Sequence, residues 1–263
     1  PSGTFSEVAA LKLSEALNEE YKIEFYPTIS LAAKNIAANG FGILPFENTL
    51  DGYVQETLDM LHKYNFYILN DISVPVHFSF VSKNSNIANV KKIYVQFKAK
   101  GQCLDFINEH GFEIIETESN VTSYERLKNS GDTYGAIIPM HLDMSPFKCV
   151  IENVEDSKNN NTRFLVLSTN EANKAELCSK CSLILEALID EPGILIEALV
   201  KFYALKINLN AIMSRPTKEG LGKYYFYTEF LANTNLDEIK GLISRINEEG
   251  KFKIKCLGFY KTI

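Results

Sequence analysis

No stretch of this chain is apolar for long enough to cross a bilayer, so no membrane partner is expected. No basic segment followed by an apolar one opens it, so no secretory leader is expected either. Because the chain begins at Pro1 rather than Met, a few residues are expected to precede it. The 5 cysteines are an odd number in a chain too large to need disulfides, which points to free thiols in a reducing cytoplasm. Cys178 and Cys181 are spaced as CxxC, but no second pair and no histidine pair completes a zinc set. The four histidines, His62, His77, His110 and His141, show no metal spacing. His62 and His110 read as residues of helix ends or loops, and His77 as a strand residue. No GxSxG, P-loop or GxGxxG occurs, which removes the common signatures of serine hydrolases and nucleotide binders. Positive charge is short as well: 27 Lys and Arg against 33 Asp and Glu leave a net charge of −6. A general nucleic-acid partner needs a basic face and is not expected, and Lys91, Lys92, Lys98 and Lys100 read as solvated positions. A small anionic ligand needs only a few local cations and helix ends, and stays open.

What is present is a chain of 263 residues, 46% apolar and 23% charged, enough for about two domains at roughly 150 residues each. Thr4 and Glu7 have capping-box spacing ahead of an apolar periodicity through Leu17, so a helix is predicted there. A short strand is predicted at Ile23–Tyr26, a helix over Ser30–Asn39 closed by Gly40, and a buried strand over Phe41–Phe46. A turn at Asp51-Gly52 precedes a helix over Val54–His62 and strands at Phe66–Leu69 and Val74–Val81. Strands at 92–97, 112–116 and 134–138 then alternate with helices at 102–109 and 121–128. Two more strands, 150–154 and 163–168, flank a polar bend. This alternation predicts a parallel or mixed α/β architecture. Residues 171–180 read as an interdomain linker. Beyond it, strands at 181–189, 207–213, 224–230 and 252–259 and helices at 193–204 and 237–247 give the order βαββαβ, the ferredoxin-like pattern.

Three segments could carry chemistry. Leu44-Pro45-Phe46-Glu47-Asn48-Thr49 ends a buried strand in three polar side chains, and strand ends are where α/β sheets bind ligands. Asn48 and Thr49 could equally cap the next turn. Asn160-Asn161-Thr162-Arg163-Phe164 joins a short hydroxyl to a guanidinium suited to a carboxylate, or is a polar loop with a surface arginine. Gly3-Thr4-Phe5-Ser6 opens a helix, and a helix N-terminus is either an anion site or an ordinary cap. In the last segment, Gly193 permits an unusual φ or a close backbone approach within a tight turn.

Taken together, the three segments resemble prephenate dehydratases. Gly3-Thr4-Phe5-Ser6 is similar to the family's GPxG[ST][FY]S opening. Leu44 to Thr49, followed by Gly52 and Asp59, is similar to its P[IF]EN[ST]…G…D stretch, and Asn160-x-Thr162-Arg163-Phe164 to its NxTRF motif. The C-terminal part resembles a regulatory ACT domain, with its PGxL turn at Pro192–Leu195 and its SRP tripeptide at Ser214–Pro216. The resemblance covers nearly the whole chain. It implies an α/β fold: a catalytic part at residues 1–170, built as two lobes of the periplasmic-binding-protein type with mixed sheets around a cleft, and an ACT domain at 181–263. Lobe 1 would hold 1–74 and 149–170, lobe 2 residues 75–148.

The implied activity is the decarboxylating dehydration of prephenate to phenylpyruvate, a lyase step toward phenylalanine, without a metal or organic cofactor. Thr162 would donate a proton or hydrogen bond to the leaving hydroxyl, and Glu47, Asn48 and Thr49 would orient the ring hydroxyl or a carboxylate. Thr4, Ser6, Arg163, Phe164, Asn160 and Gln96 would contact substrate, with Arg163 pairing a carboxylate or bracing its loop. Gly193, Ile194, Leu195, Asn208, Met213, Ser214, Arg215 and Pro216 would hold phenylalanine as a feedback effector. A homodimer or homotetramer through the last domain is implied as well.

The chain departs from the family pattern in places. Val95-Gln96 stand where the family has Ser-His, ahead of Ala99 and Gln102-Cys103. Gly135-Ala136-Ile137-Ile138-Pro139 replaces an Ala-Ala-Ile-Ala-[Ser] stretch. Ile194 and Met213 stand where the regulatory patterns carry Ala and Glu. Arogenate in place of prephenate, and a binding protein that kept the fold without the reaction, are the alternatives.

Overall fold

The computed structural model describes residues 2–171, 180–232 and 236–263. All of the expected linker except Glu171 and Lys180, including Cys178, lies outside the described residues. The chain begins with α1 (Phe5–Leu17), α2 (Ile29–Asn39), β1 (Phe41–Asn48), β2 (Gly52–Tyr53), α3 (Gln55–Lys63), β3 (Tyr67–Pro75) and β4 (Phe78–Ser82). It continues with β5 (Lys92–Gln96), α4 (Phe97–Gly101), α5 (Leu104–His110), β6 (Glu113–Thr117), α6 (Asn120–Lys128), β7 (Tyr134–Pro139), β8 (Cys149–Glu152) and β9 (Asn161–Ser168). The C-terminal set is β10 (Lys180–Ala187), α7 (Ile194–Ala204), β11 (Leu209–Pro216), β12 (Tyr224–Leu231), α8 (Leu236–Glu248) and β13 (Phe252–Thr262).

Local chemistry explains many of these bounds. Thr28 caps α2 by accepting from the Leu31 N–H, and Gly40 ends it at a φ of 89°, where a side chain would be strained. Ser119 caps α6 through the Thr122 N–H. At α1, Glu7 accepts from the Gly3 N–H at 2.5 Å, while the Thr4 side chain makes no cap bond. The capping box expected at Thr4 and Glu7 is therefore half formed and shifted by one residue. The strand expected at Ile23–Tyr26 does not form. Residues 21–26 have no regular structure and are half-buried at most, so the alternation is not backed by the burial of one face that a strand needs. His62 and His110 end α3 and α5 as expected, whereas His77 lies between β3 and β4 rather than within a strand.

The chain forms two units. One comprises Pro1–Phe25, Asn48–Gly52 and Val74–Thr162. Its sheet runs β6-β5-β7-β4-β8, with β5 parallel to β6 and β7, and β4 antiparallel to β7 and β8. Every residue of β4 is buried, as a strand covered on both faces requires. Phe80 stacks on Phe112 there, and Phe5 of α1 meets Phe78 edge-on. Helix α1 thus packs with residues 74–162 rather than with the rest of the expected lobe 1–74.

The other unit comprises Tyr26–Glu47, Tyr53–Ser73 and Arg163–Ile263. The sheet it is built on has eight strands in the order β11-β12-β10-β13-β3-β9-β1-β2. The four C-terminal strands pair antiparallel as β11-β12-β10-β13, which is the strand order of the ferredoxin-like βαββαβ fold. Period two sends their side chains to two cores. Cys181, Leu183, Leu185 and Phe230 pack under α7 and α8, while Ile184, Tyr225, Tyr227 and Tyr260 face Phe46, Leu58 and Leu61. The small sheet is not separate: β13 runs on to pair parallel with β3 at Lys261–Asn70 and Thr262–Asp71.

Candidate active site

Within the first unit, Asn48 gathers the polar residues of two of the sequence segments. Its Nδ2 donates to Thr162 Oγ1 at 3.0 Å and to Asn160 Oδ1 at 2.8 Å, with the Asn161 carbonyl at 3.3 Å. Its Oδ1 accepts from the backbone N–H groups of Leu50 and Asp51, both at 3.0 Å. Asn48 therefore closes the turn after β1, as the capping reading expects, and its amide holds the Thr162 hydroxyl at the same time. Asn160, 1% exposed, donates to Gln102 Oε1 at 2.9 Å, and its carbonyl accepts from the Val76 N–H. Thr49 uses its hydroxyl in both directions on Asn161, donating to the carbonyl at 3.1 Å and accepting from the N–H at 3.2 Å.

A hydroxyl oxygen that accepts a hydrogen bond becomes a better donor through its own proton. Thr162, half-buried beside the Asn48 amide, is in that condition. The arrangement can deliver a hydrogen bond or proton to a leaving oxygen.

In the second unit, Arg163 stands among three carboxylates. Nη1 reaches Glu229 Oε1 at 2.8 Å and Asp71 Oδ2 at 3.4 Å, and Nη2 lies 3.1 Å from Glu47 Oε2. The guanidinium carbon sits 4.9 Å from the centre of the Phe46 ring. Lys180 adds a second cation, 2.6 Å from Asp71. Burial alone would lower the Arg163 pKa, but the bonded Glu229 carboxylate outweighs it and holds the pKa above its ordinary value. Burial, and then the Glu47 charge, push the Tyr53 hydroxyl up to about 12.

The other expected substrate residues take varied places. Thr4 and Ser6 lie in the first turn of α1, half-buried. Gln96 caps α4, its Oε1 accepting from the N–H groups of Lys98 and Ala99 at 2.9 and 3.2 Å. Phe164 is a core residue, 1% exposed.

The expected effector residues divide as well. Gly193 has a φ of 88° with open space where a Cβ would stand, so its need for glycine is conformational. Ile194 and Met213 are partly buried against the two cores, Leu195 is half-buried, and Asn208, Ser214 and Pro216 are exposed. Arg215 is engaged: its Nη2 holds both oxygens of Asp59 at 2.9 Å, and its Nη1 donates to Gln55 at 2.9 Å. Lys218 and the Tyr225 hydroxyl complete the shell around Asp59. Two motif residues quoted separately from the sequence, Asp59 and Arg215, are thus partners.

Sequence reasoning did not single out Asp71 or Glu229, and quoted Gln102 as a motif residue without a role. A signal for Glu229 existed: it shares a strand face with Tyr225 and Tyr227, where an acid among buried aromatics is out of pattern. Asp71, in a strand that reads as mixed, offered no comparable signal.

Residues 1–172 match the family described as prephenate dehydratase. The prephenate dehydratase of Methanocaldococcus jannaschii is 32% identical over 99% of this chain and 95% of its own length. The crystal structure of prephenate dehydratase from Staphylococcus aureus superposes with a TM-score of 0.83 at 25% identity, covering 99% of this chain and 97% of that one. The enzyme from Arthrobacter aurescens, solved in complex with L-Phe, has a TM-score of 0.84 at 23% identity over 99% of this chain and 88% of its own.

Proposed function

Since the chain belongs to the prephenate dehydratase family, we propose that it turns prephenate into phenylpyruvate through the Asn48–Thr162 pair. In that reaction the ring C–COO⁻ bond breaks and releases CO2. Its electron pair enters the ring, and the ring hydroxyl departs from the opposite carbon. One proton is consumed and water leaves. Thr162 supplies the hydrogen bond or proton to the departing oxygen. Asn48 holds the Thr162 oxygen at 3.0 Å and stabilises the negative charge that develops there. Asn160 and Gln102 in turn fix Asn48. The observation that carries the reading is the Asn48 amide, itself held by Asn160, donating to the threonine hydroxyl.

Arg163 we assign to bracing rather than to substrate. Arg163 and Lys180 face Glu47, Asp71 and Glu229, two cations against three anions, so the cluster has no spare positive charge for a dianion. Thr4 and Ser6, at the positive end of α1, are the better partners for a substrate carboxylate. Thr49 ties β1 to Asn161, and Glu47 pairs with Arg163.

We divide the chain into a catalytic part at residues 1–170, two-lobed and of the periplasmic-binding-protein type, and an ACT domain at 181–263. The ferredoxin-like strand order supports the second assignment. Phenylalanine, the ligand of the Arthrobacter aurescens enzyme, is the proposed effector, held around Gly193–Leu195, Asn208 and Met213–Ser214. Arg215 serves as a tether through Asp59. Assembly as a dimer or tetramer through this domain is supported by Ile196, Val200 and Tyr203, exposed along one side of α7. The protein works with its cysteines as thiols, in the cytoplasm.

The test is phenylpyruvate formation by the wild type and by Thr162→Ala, with and without phenylalanine. The wild type is expected to turn over, and to slow when phenylalanine is added. Thr162→Ala is expected to lose about 10²–10⁴-fold in kcat while melting as the wild type does. A wild type inert on prephenate overturns the reading, and a fully active Thr162→Ala overturns the role of the hydroxyl.

A further inference from the structure

The reaction as described leaves one buried acid of the C-terminal module unassigned. Glu229, on β12, is 4% exposed and uses both of its oxygens. Oε1 accepts from Arg163 Nη1 at 2.8 Å, and Oε2 accepts from the hydroxyls of Tyr260 at 2.7 Å and Tyr227 at 3.1 Å. The Ser182 hydroxyl joins both tyrosines, at 2.7 and 2.8 Å. A leucine or valine would satisfy the packing of this face, so a charge placed here answers another need.

That need is Arg163. Its Nε and Nη2 are buried without a hydrogen bond, so only Nη1 is directionally held. Of the three carboxylates around the guanidinium, Glu229 is nearest at 2.8 Å and hydrogen-bonded, ahead of Glu47 at 3.1 Å and Asp71 at 3.4 Å, so Glu229 holds it most closely. Arg163 is joined by a peptide bond to Thr162. We propose that Glu229 is a positioning residue for the dehydration: it fixes Arg163 and, through the chain, the direction of the Thr162 hydroxyl. Tyr227 and Tyr260 keep the carboxylate in one rotamer. Burial first, together with the nearby Glu229 charge, raises both hydroxyls well above the ordinary tyrosine value, so they remain protonated donors. The strand that carries Glu229 also pairs with β11, where Met213 stands opposite Tyr227 and Arg215 opposite Tyr225. The module proposed as regulatory therefore holds a residue on which the alignment of the proton donor depends.

This assignment rests on the dehydratase reading, and its test separates the two. Wild type, Glu229→Gln, Glu229→Asp and Tyr260→Phe are assayed on prephenate, with kcat referred to the fraction folded by circular dichroism. Glu229→Gln keeps the shape and removes the charge. Its kcat is expected to fall about ten- to hundredfold, with KM within about threefold, because donor alignment and not binding is lost. Glu229→Asp, which restores the charge, is expected to recover most of that loss. Tyr260→Phe removes one donor to Oε2 and is expected to cost about two- to fivefold in kcat alone. It carries the test if Glu229→Gln does not fold. An active wild type with unchanged kcat in folded Glu229→Gln, or in Tyr260→Phe, overturns the assignment and leaves the reaction standing. Equal losses in Gln and Asp also overturn it, since shape rather than charge would then matter. An inert wild type overturns the dehydratase reading and this inference with it.

Discussion

Asn48 and Thr49 are neighbours with opposite fates. Asn48 spends its carbonyl on a turn and its amide on Thr162, so truncation removes a support from the hydroxyl proposed as proton donor. Thr49 spends its hydroxyl on the backbone of Asn161, where only the strand ends benefit. Asn48→Ala is therefore expected to lower kcat by about a hundredfold, the scale of one lost transition-state donor. Thr49→Ala is expected to cost about 1 kcal/mol of stability with kcat nearly unchanged. Steady-state rates and thermal melting of both variants check the pair. A Thr49→Ala loss as deep as that of Asn48→Ala would restore Thr49 to the catalytic set.

Strand β7 places Gly135 hard against a buried ring. Here a Cβ would come within 2.6 and 2.9 Å of the Phe80 ring and 3.1 Å of the Val81 carbonyl. Phe80 cannot move aside cheaply, because it is fully buried and stacked on Phe112 with ring centres 5.4 Å apart. The glycine is kept for space, since its φ is not in the left-handed region. Gly135→Ala is expected to destabilise by about 1–3 kcal/mol, the usual cost of overpacking, read as a lower melting temperature. A melting temperature equal to the wild type's would show that the Phe80 stack yields.

Over the second unit as a whole, long-range polar bonds tie the C-terminal module to α3 and β3. Lys255 of β13 donates to the Leu61 and Tyr64 carbonyls at the end of α3. Asp59 of α3 is held by Arg215, Lys218 and Tyr225. Burial would raise the Asp59 carboxyl, but the bonds from Lys218 and Arg215 outweigh it and hold the pKa below the ordinary value. A depressed acid stabilises the fold above its unfolded pKa, and the contribution is lost as pH falls through the folded value. Asp59→Asn is thus expected to cost about 2 kcal/mol near neutrality, within the range for hydrogen bonds to charged groups. The gap should begin to narrow as the pH falls below about 4, where the unfolded acid protonates, and close as it falls through the lower value of the folded acid. Melting curves at neutral and acid pH check this, and a gap that stays constant with pH would assign the effect to packing.

Period and punctuation alone determined most of the element order, from the capped helices to the βαββαβ close, because those signals are local; β2 and α4 went unread. The same signals also marked Leu44–Thr49 and Asn160–Phe164 as candidate segments, each of which taken alone could equally be a cap or a polar loop. Only the tertiary structure decided what these residues do to one another. The Asn48–Thr162 bond spans 114 positions, the Arg163–Glu229 bond 66 and the Arg215–Asp59 bonds 156, and no local pattern reports a pairing at such separations. Gln96 could be read as a ligand, and only the structure shows that its amide oxygen caps a helix. Ile23–Tyr26 alternated like a strand and stayed irregular, because a strand also needs the burial of one face. The run of β13 into β3 was illegible because a chain shows which residues can bury a face, while the register across a sheet is set by what the rest of the fold brings alongside.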